Sequence, residues 1–415
     1  MTADELPEDL TLADFDLWKD GPPHGIFSDL RAKCPVHWSP GIPVLPEEEG
    51  FWSLTKADDI ARVSRDWRTF SSERMGIDIT NQQIPIEFAR AEFIGMDPPK
   101  HDRIKQLFLA GFTNEQIGRH EDWIRQIVVT VLDCLDCLDA AETCDLVSAI
   151  SQPVVARVIH RLLGIPEEED VKWADYMKRY MGRDDPDLNP GGIDAYVNEL
   201  LPTLMQEVTH MIDARRANPT DDLISVLVHA EIDGQTLSTE EIMYGTLLLI
   251  GAGNDSTMAT YVSAMKALME NPDQRRLVLD DMSLVPSLVE EALRMFPAFS
   301  MMRRTATRDV EIGGRLIKEN DKVVMWYPSS NRDEDKYDDP HRFDVTRNPE
   351  HQAFGAGGRH FCLGNALARL ELRLMIEETL KRYPEMEIVG EAPHAESFFI
   401  NQVKALPVKL GRRAG

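Results

Sequence analysis

Positive charge is scarce in this chain: 45 Lys and Arg face 71 Asp and Glu, a formal net charge of −26. So acidic a protein is a poor general nucleic-acid binder. Cysteine is scarce too, with five in 415 residues. An odd number without a secretory leader argues against a disulfide framework. Long hydrophobic runs are missing. Met1 to Asp20 is acidic and reads as neither signal peptide nor anchor. Ile242 to Asn254, the longest charge-free stretch of the central helical segment, is too short to span a bilayer and contains Gly and Asn. These absences lead to the expectation of a cytoplasmic protein with no membrane segment. No Pro/Gly/Ser linker, repeat or low-complexity tract divides the sequence, so residues 1–415 read as one domain. At 43% hydrophobic there is ample material for a substantial core.

The patterns that are present are mostly helical. Val36–Trp38 and Phe51–Leu54 read as strands around a Pro/Glu-rich turn, and Glu115 to Ala217 is mainly helical, broken at Pro186, Pro190 and Gly191-Gly192. Ser238 followed by Glu241 is a capping box. It opens a helix that runs to Glu270, before Asn271-Pro272. At the standard rise this is roughly 48 Å, enough to cross a domain. Its first half is apolar all round, which predicts burial. Val310–Ile317 with Gly313-Gly314 at its centre reads as a hairpin, and Lys322–Tyr327 adds a strand. The fold class expected is mainly α with a small β portion.

The segment from Phe354 to Gly364, FGAGGRHFCLG, carries the most chemistry. Its one cysteine, Cys362, stands just before a helix predicted over Asn365–Tyr383 and stopped by Pro384. Backbone N–H groups and the helix dipole favour a thiolate there. Glycines on both sides let the backbone approach a flat, bulky partner, and Arg359 and His360 are placed to meet carboxylates on it. A thiolate held this way suits ligation of heme iron. A dinucleotide loop is excluded, because His360 stands where the third glycine belongs and no βαβ unit surrounds it. A second cysteine pair, Cys134 and Cys137, forms a CxxC on the helix predicted over Trp123–Leu138. It lacks a second CxxC or HxxxH and reads as structural, like most buried cysteines.

The Cys362 segment resembles the cysteine-ligand loop of the cytochrome P450 family, and the resemblance extends over nearly the whole chain. One departure is visible: the family's Phe seven residues before the Cys is replaced by Gly355, with Phe354 one further back. The resemblance implies a helix-rich prism with heme b between the long central helix and the Cys loop, and Cys362 as the axial ligand, followed by Gly364. Two further matches bear on oxygen chemistry and on folding. Ala252-Gly253-Asn254-Asp255-Ser256-Thr257 resembles the oxygen-activation motif, with Asp255 the acid and Ser256 in place of the usual Thr. Reductive O₂ cleavage needs two protons, so a carboxyl beside a hydroxyl has a purpose, which Thr257 shares. The bland rival is that Ser256 and Thr257 bond back to the preceding turn. Glu291 and Arg294 resemble the family's Glu-x-x-Arg, whose third member would be Arg342.

His101, Lys105, Arg304 and His360 fall in register with positions that bind heme carboxylates, with Lys105 replacing an Arg. By register the substrate pocket would be covered by the loop Met75–Phe93 and lined by Tyr244, Leu248, Ala252, Phe299, Met301 and Phe399. The segments Met302–Ala306 and Arg342–Arg347 are similar to those of bacterial linalool and cholesterol or branched-lipid hydroxylases. The resemblance thus implies an O₂-dependent monooxygenase, a monomer, acting on a hydrophobic terpenoid, steroid or branched lipid. No flavin or iron–sulfur motif is present, so electrons would come from a ferredoxin and its reductase. Lys100, Arg103, Lys105, Arg359, Arg369 and Arg373 form the expected basic docking patch. Two alternatives stay open: an H₂O₂-using peroxygenase, against which Asp255 and Ser256 speak, and a non-enzymatic heme sensor, which would need no proton relay.

Overall fold

The computed structural model describes residues 6–7, 9–80, 86–109, 111–135, 143–182, 185–232 and 234–411. The helices that position the site are α1 (Lys100–Leu109), α2 (Glu121–Leu135), α3 (Gln152–Leu163), α4 (Asp170–Met181), α5 (Leu201–Ala217), α6 (Thr239–Glu270), α7 (Val285–Met295) and α8 (Asn365–Arg382). Helix α6 forms as its capping box predicts. Ser238 Oγ accepts from the Glu241 N–H at 3.1 Å, and the Glu241 carboxylate accepts from the Ser238 N–H at 3.0 Å. Leu247, Ile250, Met258, Tyr261 and Leu268 are all but fully buried around its circumference. A helix apolar all round needs neighbours on every side, and α3, α4, α5, α7 and α8 supply them.

Helix α8 starts immediately after the Cys loop, with Gly364 at its N-cap, and ends before Tyr383. Leu367, Leu370, Leu374, Met375 and Leu380 are buried on it. A hydrogen bond of 2.8 Å between Tyr261 and Thr379 ties α8 to α6 inside the core. The sheet portion is small. Strands β1 (Val36–Gly41), β2 (Glu49–Leu54), β3 (Phe70–Ser71), β4 (Met301–Ala306), β5 (Val310–Ile312), β6 (Arg315–Ile317) and β7 (Lys322–Trp326) include the expected hairpin, β5–β6. Gly313 and Gly314 make its turn with φ of +54° and +73°, the left-handed pair a two-residue hairpin turn requires. A five-stranded sheet has the order β1-β2-β7-β4-β3, in which β7 and β2 run parallel and the other neighbours antiparallel.

The Glu–Arg motif of α7 is fully buried. Arg294 grips Glu291 with two bonds of 2.7 and 2.8 Å, and donates to the carbonyls of Asn331 and Pro340 at 2.8 Å each. The third member is Arg347, not Arg342. Arg347 Nε lies 3.3 Å from Glu291, while Arg342 is exposed and offers only its backbone carbonyl. The cause is a turn: Phe343 and Val345 face inward, so Arg342 points to solvent and the chain returns at Arg347.

Cys134 ends up exposed on α2, so it is not the buried structural cysteine that the base rate suggested. Cys137 lies outside the described residues, as do 81–85 of the expected pocket cover. Among the described residues there is no cluster of three or more His, Cys, Asp or Glu able to hold a metal ion, and no helix long and apolar enough to cross a membrane.

Candidate active site

A cavity opens between α6 and the Cys362 loop, with ≈ 1520 Å³ of space not filled by atoms, part of it open to solvent. Its lining comes from the Cys loop, from α6 and from α8. Cys362 lines it, half-buried. Its loop is shaped by short bonds: the Cys362 N–H donates to the Phe354 carbonyl at 2.9 Å, and Asn365 Nδ2 donates to the Cys362 carbonyl at 2.8 Å. Gly358 holds φ of +86°, and a Cβ there would stand 2.6 Å from the Ser64 carbonyl oxygen, so a side chain is excluded twice. Gly364 is different. A Cβ on it would meet nothing within 4 Å, and the residue lines the cavity. Burial pushes the Cys362 thiol up, while the Gly364 N–H, Lys105 and Arg369 oppose that. A coordinated metal ion removes such a proton outright.

The basic residues expected in register converge on this cavity: His101, Lys105, Arg304 and His360 all line it. The rings of His101 and His360 are 4.2 Å apart. His360 Nε2 is 3.3 Å from Ser72 Oγ, whose own N–H is fixed by Asp97 at 2.9 Å. Burial lowers the pKa of His101, and burial together with Arg304, His101 and Lys105 lowers that of His360. Arg304 is 4% exposed, donates to the Arg303 carbonyl at 2.7 Å, and forms no ion pair with a described residue. A buried guanidinium without a carboxylate fits a site awaiting an anionic group. Lys105 is placed otherwise than expected. Its ammonium donates to the Phe361 carbonyl at 2.7 Å and to the Arg359 carbonyl, so it braces the Cys loop. Tyr327, which lines the cavity beside Arg304, was not anticipated.

On the α6 side the cavity is lined by Leu248, Ala252, Gly253, Ser256, Thr257 and Thr260. Ser256 Oγ donates to the Ala252 carbonyl at 2.6 Å, the back-bond of the bland alternative. Gly253 admits Ile159 of α3, whose Cδ1 would be 2.8 Å from a Cβ. Asp255, between two lining positions of α6, does not itself line the cavity; it is buried, and burial raises its pKa from 3.8 to about 7.

The outer wall is apolar: Ile94, Leu162, Leu163, Leu223, Phe299 and Met302. Met302, not Met301, faces the cavity. Strand alternation turns Met301 into the N-terminal core against Trp326 and Phe398. Tyr244 and Phe399 do not line it either. Tyr244 packs edge-on against Phe88 at 5.4 Å, and Phe399 against Phe299 at 5.3 Å. The expected basic patch is largely neutralised within the protein: Arg103 pairs with Glu241, Arg359 with Asp102, Arg369 with Glu290, and Arg373 with Glu121 and Glu377.

The sequence pattern of the family described as Cytochrome P450 matches residues 192–394. A methyl-branched lipid omega-hydroxylase of Mycobacterium tuberculosis is 35% identical over 97% of this chain and 95% of its own. A steroid C26-monooxygenase of Rhodococcus jostii is 31% identical over 99% and 86%. The solved structure of a Mycobacterium marinum cytochrome P450 in complex with pseudoionone superposes with a TM-score of 0.90 at 34% identity, covering 98% of this chain and 100% of that one. The chain belongs to the cytochrome P450 family. It is a monooxygenase with heme b as its cofactor, and the cavity between α6 and the Cys loop fits that group: a cysteine, a buried guanidinium with no ion pair to a described residue, two buried histidines and a glycine that leaves space.

Proposed function

We propose that this protein hydroxylates a hydrophobic small molecule, a branched lipid, steroid or terpenoid, at the end of a hydrocarbon chain. The observation that carries this reading is a single cavity with Cys362 at one end and an apolar wall from Ile94 to Met302 at the other. Relatives that act at an omega carbon or at C26 support attack at a chain terminus. Residues 1–415 would act as one cytoplasmic unit.

In this reading Cys362 would ligate the heme iron, and Arg304, His101 and His360 would hold the heme carboxylates. When bound, the heme activates O₂ for insertion into a C–H bond. Gly364 leaves the space for its approach, and Lys105 keeps the Cys loop in place. The apolar wall excludes water and orients the chain end. Asp255, near 7, accepts and returns protons close to neutral pH. Thr257 makes no back-bond like that of Ser256, so its hydroxyl shares the relay. Electrons are assigned to a ferredoxin and ferredoxin reductase, since the sequence has no flavin or iron–sulfur motif.

The test is turnover with a surrogate ferredoxin, its reductase and a panel of methyl-branched fatty acids, sterols and acyclic terpenoids. A terminal alcohol from at least one class is expected. No spectral binding shift and no product with any of them would refute the assignment.

A further inference from the structure

The extra residue in the Cys loop sets Phe354 one place further from Cys362, and the structure gives that ring two partners. Gly355, which stands in the usual Phe place, takes φ of +88°. The Arg369 guanidinium lies 4.6 Å from the centre of the Phe354 ring, and the His351 ring lies 5.6 Å from it. A cation over an aromatic face is attracted by the ring quadrupole. One carboxylate holds both partners. Glu290 of α7 accepts from Arg369 at 2.6 and 3.0 Å and from His351 Nε2 at 3.1 Å. His351 Nδ1 accepts from the Ala353 N–H at 3.2 Å, which leaves the hydrogen on Nε2 for Glu290. Arg369 also reaches the Cys loop. Its Nη1 donates to Asn365 Oδ1 at 2.9 Å, and Asn365 Nδ2 donates to the Cys362 carbonyl at 2.8 Å. The Cys362 N–H closes the circuit on the Phe354 carbonyl at 2.9 Å.

The circuit carries charge as well as shape. Burial works against a thiolate at Cys362, and Arg369 is among the groups that counter it. Burial opposes charge on Glu290 too, yet its bonds to His351 and Arg369 outweigh burial and hold the carboxyl down at about 2. Glu290 is therefore ionised at neutral pH. We propose that Glu290 is a positioning residue for electron uptake: by holding Arg369 over Phe354 and offsetting its charge, it sets the reduction potential of the iron that Cys362 would ligate. The proposal rests on the heme–thiolate reading. One electron passes from the iron–sulfur carrier assigned above to ferric iron, which becomes ferrous, and no bond is made or broken. By Coulomb's law a cation beside the thiolate favours the ferrous state and an anion the ferric state.

Charge and packing give opposite expectations for two substitutions. Glu290→Gln keeps the shape of the carboxylate and leaves the Arg369 charge uncompensated, so the potential should rise. Arg369→Met keeps much of the stem and leaves the Glu290 charge uncompensated, so the potential should fall. The double variant removes both charges and should lie between the two. The measurement is spectroelectrochemical titration of the purified holoenzyme without substrate. Each single variant should change the ferrous-to-ferric ratio at fixed potential about tenfold, a shift of about 59 mV for one electron. All should keep the red-shifted carbon monoxide band, because the iron ligand is untouched. Shifts of one sign in both single variants, no shift in either, or loss of heme from either would overturn the proposal, since packing rather than charge would then be at work. Absence of the red-shifted band from the wild type would instead refute the ligation by Cys362 beneath it.

Discussion

Burial decides what Asp255 does. Its carboxyl titrates near 7 in the folded protein against an ordinary value of 3.8. Between those values the folded state holds a proton that the unfolded state has released, so stability falls as pH rises through this window. The loss is complete above the folded value and amounts to roughly 4 kcal/mol at about 1.4 kcal/mol per unit. Asp255→Asn should therefore be more stable than wild type in urea at pH 8, with the difference vanishing below pH 4. The same variant should lose about 100-fold in product formation, the usual contribution of a positioned acid–base group. Equal stability at both pH values would mean that the carboxyl is not desolvated.

The two methionines of β4 make a matched pair. Met301→Ala removes core volume beside Trp326 and should cost about 2–5 kcal/mol, with the substrate shift unaltered. Met302→Ala enlarges the cavity and should change substrate affinity with a smaller effect on stability. Thermal unfolding and optical titration of both variants distinguish the faces. This pair also marks a limit of the sequence. Register against the family located the strand, but which side of it meets the cavity depends on a pleat that one side chain cannot announce.

At the scale of elements, the motifs with local signatures were legible. The capping box, the hairpin glycines and the Cys-loop glycines each impose a backbone conformation that few other residues tolerate. Arg347 was not legible, because its approach to Glu291 depends on the turn at Asp339–Arg342 and on Phe343 and Val345 folding inward. Nor was Lys105's role, since two carbonyls of a distant loop leave no trace in its own neighbourhood. The ion-pair assignment makes a sharp contrast. Arg294→Ala leaves Glu291 buried and should cost about 3–5 kcal/mol. Arg342→Ala, an exposed site, should change stability by less than about 0.5 kcal/mol. If Arg342→Ala were the more damaging in denaturant unfolding, the assignment of Arg347 would be wrong.

Across the whole molecule, the acidic balance and the mainly helical fold follow from composition and periodicity. The surface electrostatics do not. Six cations near the Cys loop look like a basic patch when read along the chain, yet four of them are paired with carboxylates from other elements. Such pairing is set by tertiary structure, and it leaves Lys100 exposed. The central claim is that Cys362 binds the heme iron as a thiolate. Its most direct test is the absorption spectrum of the dithionite-reduced protein with carbon monoxide, for wild type and Cys362→His. Wild type should show the strongly red-shifted Soret band of an iron–thiolate complex, and Cys362→His should lose it while retaining heme. A wild-type band typical of histidine ligation in freshly purified protein, or no heme at all, would contradict the account.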